Sequence, residues 1–339
     1  MTNPLKGWEV DRETIRTIGH SLQRPECILA EYDGTLWAAD ARGGVVRIAP
    51  DGGQSLISQN IDTHFDLSAD MERSLLHGTL PNGLAFASNG DILIANFGTD
   101  AVEIMTRDGY THTICDSVDG LPLGKVNFVL RDSKDRIWFT VSTRVNPWNH
   151  AIRTSLSDGY VALLDGNGLQ VVADGFSFAN EIRLDADEEW LYVAETTGKR
   201  VTRLQVHDDG SLGRREVFGP TNLGTGLIDG IAFDSYGNLW CAMIFSERLI
   251  AIAPDGDVAV LLDDGSAQAT ARFEAEFATG SAVSFQTLTA AAGTLAPWLA
   301  SVTFGGKDLR TVYLGSLRGT TIPYFQSPVA GLPMVHWRY

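Results

Sequence analysis

The chain has 339 residues, 44% of them apolar, and a net charge of −16. A surface this acidic repels the phosphates of nucleic acids and of anionic membranes, which removes both as partners and leaves small molecules. No apolar run approaches the ~18–20 residues that span a bilayer, and Met1-Thr-Asn-Pro-Leu-Lys-Gly-Trp8 lacks the apolar stretch of a secretory leader.

Cys27, Cys115 and Cys241 show no C-x-x-C spacing and read as reduced thiols of a cytoplasmic protein. The 35 glycines suit many tight turns between short strands. In chain order, residues 8–20 alternate weakly and predict one strand. Pro25 to Ile57 predicts short strands, with Val45–Ile48 and Ser55–Ile57 joined through an Asp51-Gly52 hairpin signal. Residues 58–78, which hold His64 and His77, carry no strand pattern and predict a long loop of the kind that is often functional. Leu80 to Cys115 includes the strands Ile92–Ala95 and Val102–Met105. Lys125 opens a segment with Ile137–Val141, interrupted by Arg144–Ile152 and resuming at Gly159–Leu164 and Gln170–Val172. That interruption, rich in turn formers and carrying Trp148 and His150, is expected to lie over one face of the fold. Phe178 to Phe218 and Ile228 to Leu262 each repeat the strand pattern. Residues 265–297 are rich in Ala, Thr and Ser, with a strand expected near Ala282–Phe285, and Leu299 to Phe325 gives the last set of strands.

These segments are copies of one another. Glu26, Asn127 and Asp229 each stand eleven positions before a tryptophan (Trp37, Trp138, Trp240), and Asn82 and Asn180 stand eleven before Leu93 and Leu191. Ala300 occupies the position in the final segment. All-strand repeats of about 45–50 residues are blades of a propeller. The fold class is therefore all-β, a six-bladed β-propeller with four-stranded blades, forming one domain over 1–339. The N-terminal segment closes the last blade, which removes the open sheet edges.

In a propeller, equivalent positions face one another around the axis, so Glu26, Asn82, Asn127, Asn180 and Asp229 converge. Turn chemistry accounts for any one of them, since Asn and Asp before Gly, as in Asn82-Gly83 and Asp229-Gly230, suit loop-to-strand corners. The set points elsewhere: all five offer oxygen, none is basic, and Glu is no turn residue. Buried unpaired, such a ring is costly. A hard divalent cation relieves it, with Ca²⁺, which takes 6–8 oxygen ligands, favoured. Mg²⁺ and Mn²⁺ are alternatives; Zn²⁺ is less suited to a set without Cys or His. None of the seven histidines makes an H-x-x-H spacing, and Gly-x-Ser-x-Gly is absent, so a nucleophile-elbow serine is not expected.

The chain resembles the SMP-30/gluconolactonase/LRE-like family. The resemblance is carried by Pro25-Glu-Cys27, Lys125-Val-Asn127, Phe178-Ala-Asn-Glu181, Leu191–Thr196, Asp229–Trp240, Phe304–Tyr313 and Pro328–Pro333, in order over nearly the whole chain. It implies one divalent metal at the top of the central channel, held by Glu26, Asn180 and Asp229. Asn127 is then a fourth ligand or a substrate contact. Related phosphotriesterase-like propellers hold calcium with a Glu, two Asn and an Asp, matching the same four positions. Lys125 falls where sugar-lactonase relatives often carry a substrate-holding Arg. Two departures stand out: Phe128 follows Asn127 where relatives commonly have Asp, and no acidic substrate contact occurs near Arg144-Val145. Both make the pocket less acidic and more apolar.

The activity implied is a metal-dependent lactonase, with a metal-polarised carbonyl, an activated water and Asp229 as general base. A cationic neighbour is expected to keep the pKa of Asp229 low. Asn82, Lys125, Asn127, Arg144, Trp148 and His150 are the expected substrate contacts, with His64 or His150 next in line as base. A phosphotriesterase or aryl-esterase activity on the same metal, or a non-catalytic ligand-binding propeller, is the alternative.

Overall fold

The computed structural model describes residues 2–60, 75–76 and 78–337; His64, His77 and most of the loop expected over 58–78 lie outside them. Six antiparallel four-stranded sheets form a six-bladed β-propeller. Their inner strands are Ile28–Ala30, Pro81–Phe86, Val126–Arg131, Ala179–Leu184, Leu227–Phe233 and Leu299–Gly305. Each blade then runs outward in chain order, and adjacent blades pack face to face through buried side chains such as Leu29, Trp37, Leu84 and Phe86.

The ring closes as expected. Arg16–Ile18 adds the outermost strand to the last blade by pairing with Ile322–Tyr324. This joins a strand near the start of the chain to the last blade and covers the edge of Ile322–Gln326, leaving Arg16–Ile18 as the outermost strand.

The tryptophans of the repeat lock the inner hairpins of three blades. The Nε1 of Trp37, Trp138 and Trp240 donates to Glu31 (2.7 Å), Asp132 (2.8 Å) and Asp234 (3.0 Å), each six residues earlier. The other carboxylate oxygen of Asp132 and Asp234 caps the turn by accepting backbone N–H groups, among them Arg136 at 2.9 Å and Asn238 at 2.9 Å. The acidic residue thus satisfies a turn and a buried indole at once.

Two sequence expectations change. Residues 282–285 form no strand: the segment after the fifth blade folds as helices Ala267–Phe277 and Phe285–Ala290, with Ser266 and Ser284 as their N-caps. Ala-rich composition with Ser caps is helix chemistry, and Phe273 and Phe277 bury its apolar face. Second, Gly83 and Gly230 are not loop corners. Both lie within inner strands, where a Cβ would stand 2.6 Å from the Phe128 Cα and 2.5 Å from the Ala300 carbonyl oxygen. Glycine is required because the next blade's backbone approaches the axis that closely.

Among the described residues no helix is long and apolar enough to cross a membrane. Tightness at the axis yields a stability test. Gly230→Ala should destabilise the fold by roughly 1–3 kcal/mol through overpacking, whereas Gly166→Ala, in open space, should stay within about 0.5 kcal/mol. Urea-unfolding midpoints compare the two; equal midpoints would remove the close-approach argument.

Candidate functional site

The repeat position acquires its geometry from backbone irregularity. In five blades the pairing of the inner two strands shifts register where that position falls: between Pro81 and Leu84, Val126 and Phe128, Ala179 and Ile182, Ile228 and Ile231, and Leu299 and Ser301. Asn82, Asn127, Asn180, Asp229 and Ala300 are therefore bulge residues, released from the ladder. A bulge re-aims side chains and is common beside active sites. Glu26 lies just ahead of the first inner strand, Ile28–Ala30.

Glu26, Asn82, Asn127, Asn180 and Asp229 all line one open cavity at the N-terminal ends of the inner strands. All five are at least 95% buried. Asn82 braces the ring: its Nδ2 donates to Glu26 Oε1 (3.2 Å) and to the Asn127 carbonyl (3.0 Å). Asn180 Nδ2 donates to Thr196 Oγ1 at 3.1 Å. What remains is a set of acceptors without donors. Glu26 Oε2, Asn127 Oδ1 and Asn180 Oδ1 are buried with no hydrogen-bond partner. An orphaned buried acceptor costs about 1–3 kcal/mol, so three around one axis, beside the Asp229 carboxyl, call for a common partner. The donor set is all oxygen and carries two carboxylates, which fits a hard divalent cation. Among the described residues no group of three His, Cys, Asp or Glu forms a metal site on its own, because half of this set is carboxamide.

Two charged residues in the centre were not singled out from the sequence. Arg24, at φ 58°, turns into the cavity and donates to the Asn82 Oδ1 and, at 3.1 Å, to the Pro81 carbonyl. Glu181, the residue after Asn180, is released by the same bulge. Its Oε2 accepts from the Ile231 N–H at 3.2 Å and pairs with Arg183 at 2.7 Å, while its Oε1 has no partner. The Arg183 guanidinium lies 4.4 Å from the Phe128 ring centre. Gly230 makes room for this carboxylate, since a Cβ there would stand 2.8 Å from Glu181 Oε1. Both residues had a signal: an Arg two before Glu26, and a second acid beside Asn180.

Crowded carboxyls shift upward. Burial, reinforced by the Glu181 charge, pushes Asp229 up to about 8, against the pull of an Asn180 hydrogen bond and Arg24. Burial also raises Glu26 well above the carboxylate range, with Glu181 and Asp229 adding to it. The low pKa expected of Asp229 thus does not describe the metal-free chain, in which the carboxyls repel one another.

Three expected substrate contacts lie off the cavity. Lys125 is buried in an ion pair with Asp100 at 2.8 Å, Arg144 is exposed with its guanidinium 4.6 Å from the Tyr160 ring centre, and His150 is exposed. Trp148 does line the cavity, its Nε1 donating to the Leu75 carbonyl at 3.0 Å. Phe128 is absent from the lining, so the apolar character comes instead from Phe97, Phe178, Phe245 and neighbours above the ring.

A six-bladed propeller with an oxygen-rich ring of side chains at one end of its axis is the class of protein defined by this geometry. Residues 57–271 match the SMP-30/Gluconolactonase/LRE-like region, and the chain belongs to that family. It is 28% identical over 183 residues to 6-deoxy-6-sulfogluconolactonase of Pseudomonas putida, a match spanning 52% of this chain and 53% of the relative. In fold it is similar to a gluconolactonase from Xanthomonas campestris (TM-score 0.65, 19% identity, 92% of this chain and 89% of that one). It is likewise similar to regucalcin, a calcium-binding protein from Agrobacterium tumefaciens (TM-score 0.64, 15% identity, 92% of each chain).

The raised carboxyls give a pH test. Between the unfolded value near 4 and about 8, Asp229 holds a proton in the folded chain and not in the unfolded one, so metal-free stability falls as pH rises, by at most ~1.4 kcal/mol per unit. The thermal midpoint of wild type minus that of Asp229→Asn, in chelator, should decline across this window and flatten above it. Added Ca²⁺, binding the ionised form, should raise the wild-type midpoint most at the alkaline end. A difference that rises with pH would show the carboxyl is not desolvated.

Proposed function

We propose that the protein is a divalent-cation-dependent hydrolase that opens a lactone, with Glu26, Asn127, Asn180 and Asp229 holding the cation and Ca²⁺ favoured. The observation that carries this reading is the group of buried oxygens of Glu26, Asn127 and Asn180 left without partners beside Asp229. The gluconolactonases among its relatives support the choice of reaction. Two carboxylates balance the charge of a divalent ion, and the neutral carboxamides complete the set without adding repulsion. When bound, the cation supplies Lewis-acid polarisation of the scissile carbonyl.

The remaining work falls to the chain. Asp229, in its ionised form, accepts a proton from the attacking water, a role that the carboxamides of the ring cannot fill. Glu26 is held by Asn82, which is fixed in turn by Arg24, so it acts as a ligand and not as a base. Arg24 places a fixed positive charge beside Glu26 and Asp229, suited to a carboxylate product. The apolar walls exclude bulk water, which strengthens every charge interaction on the floor. The unpaired thiols Cys27, Cys115 and Cys241 support a reducing, cytoplasmic setting.

Asp229→Asn keeps an oxygen toward the cation and loses the proton acceptor. Turnover at saturating Ca²⁺ should fall roughly 10²–10⁴-fold, with metal affinity reduced far less. Glu26→Gln should act mainly through weakened metal binding. Lactone hydrolysis and calorimetric Ca²⁺ titration of both variants separate the roles. Near-wild-type kcat in metal-loaded Asp229→Asn would move the base elsewhere, and activity indifferent to chelation would turn the reading toward a binding scaffold.

A further inference from the structure

We propose that the substrate is a lactone bearing an apolar substituent, an alkyl or aryl group on the ring, and not a polyhydroxylated sugar lactone; this rests on the lactonase reading. The cavity is divided by height. Its polar residues, Arg24 and Thr196 among them, belong to the floor around the axis, and the described residues of its wall are apolar: Phe97, Trp148, Ile152, Phe178, Ile244 and Phe245, closed by Leu317.

The donors left on the floor, the remaining Arg24 N–H groups and the Thr196 hydroxyl, lie among the ring residues and not on the wall. Both amide hydrogens of Asn82 are committed to Glu26 and the Asn127 carbonyl, and its oxygen accepts from Arg24. Thr196 Oγ1 accepts from Asn180. The Trp148 indole N–H, the one polar handle among the described residues of the wall, already donates to the Leu75 carbonyl. The oxygens left over at Glu26, Asn127 and Asn180 are the cation's. A substrate hydroxyl facing this wall loses water and finds no partner, a penalty of roughly ten- to hundredfold each. A buried methylene gains about fourfold.

The wall is also built with effort. Phe178 and Phe245 adopt φ of 60° and 67°, a left-handed backbone that bulky side chains rarely take. Strain of this kind persists where the surroundings hold it, and it gathers at ligand clamps. For Phe245 those surroundings are visible: its ring stacks on Phe273 of the helix Ala267–Phe277 at 4.9 Å and meets Trp298 edge-on at 5.4 Å. Its N–H donates to Glu247 at 3.1 Å. Phe97 meets Trp148 edge-on at 5.9 Å. The helical insertion and the segment around Trp148 thus join in one buried apolar cap over the ring.

The test uses the full chain saturated with Ca²⁺. Proton release gives kcat/KM for δ-lactones carrying hydrogen, butyl, hexyl or phenyl, and for glucono-δ-lactone. Calorimetry gives binding of a hexyl δ-lactam and of gluconolactam, which are not turned over. The alkyl lactone should exceed the sugar lactone by at least about 100-fold, rising about fourfold per methylene until the cavity is filled. Phe178→Asn, which keeps a residue tolerant of the left-handed backbone, should narrow the preference about tenfold or more. Equal or faster turnover of the sugar lactone, or equal lactam binding, overturns the proposal. If no lactone is opened while the hexyl lactam binds more tightly, the apolar specificity stands and the lactonase reading falls.

Discussion

Buried oxygen without a donor is the constraint around which this propeller is arranged. Glu26, Asn127 and Asn180 each leave an acceptor unpartnered beside Asp229, on the cavity at one end of the axis. They reach it because the inner strands bulge where those residues occur. The blades can crowd that closely because Gly83 and Gly230 present no Cβ to the neighbouring backbone. The chain tolerates the axial repulsion because the hairpins behind it are locked by tryptophan–carboxylate bonds and by layers of apolar contacts between blades. Stability thus comes from the periphery and is partly consumed at the centre.

The axis has two distinct ends. Below the ring, the Glu181–Arg183 pair occupies the channel, with Arg183 reaching a second cavity at the other end. That end is covered by the C-terminal segment: Leu332 donates its N–H to the Phe233 carbonyl at 2.8 Å, and the His336 ring, 2.9 Å from the Ala30 carbonyl, packs edge-on to Phe86. The upper end is walled jointly by blade residues, Phe97, Phe178, Ile244 and Phe245, and by Trp148 and Ile152 of the segment that interrupts the third blade, so the two ends of the axis are closed by different parts of the chain. Propeller families diverge in this way, with the ring holding the shared chemistry and the loops holding specificity.

The ring was legible in the sequence because propeller blades repeat. The eleven-residue interval between an oxygen-bearing residue and a Trp or Leu is a covalent count, and four-stranded blades turn equal counts into equal heights on the axis. The six blades, the closure by the N-terminal strand and the meeting of Glu26, Asn82, Asn127, Asn180 and Asp229 follow from local alternation and that repeat alone. The insertions escaped it because they occur once each, and no repeat fixes where they fold.

What only the tertiary structure decided were matters of approach between segments far apart in the chain. Glu181 joined the centre because a bulge releases two successive residues, against the strand alternation that a sequence reading assumes. Arg24 entered through a left-handed backbone, and Lys125 left by pairing with Asp100. Arg144 and His150 turned to solvent while Trp148, two residues from His150, turned inward. The pKa of Asp229 is set by burial and by Glu181, 48 positions earlier in the chain. Which residues share a ring is a property of spacing, which the sequence holds; how strongly they repel and what walls them in depend on distances across the fold, which only packing determines.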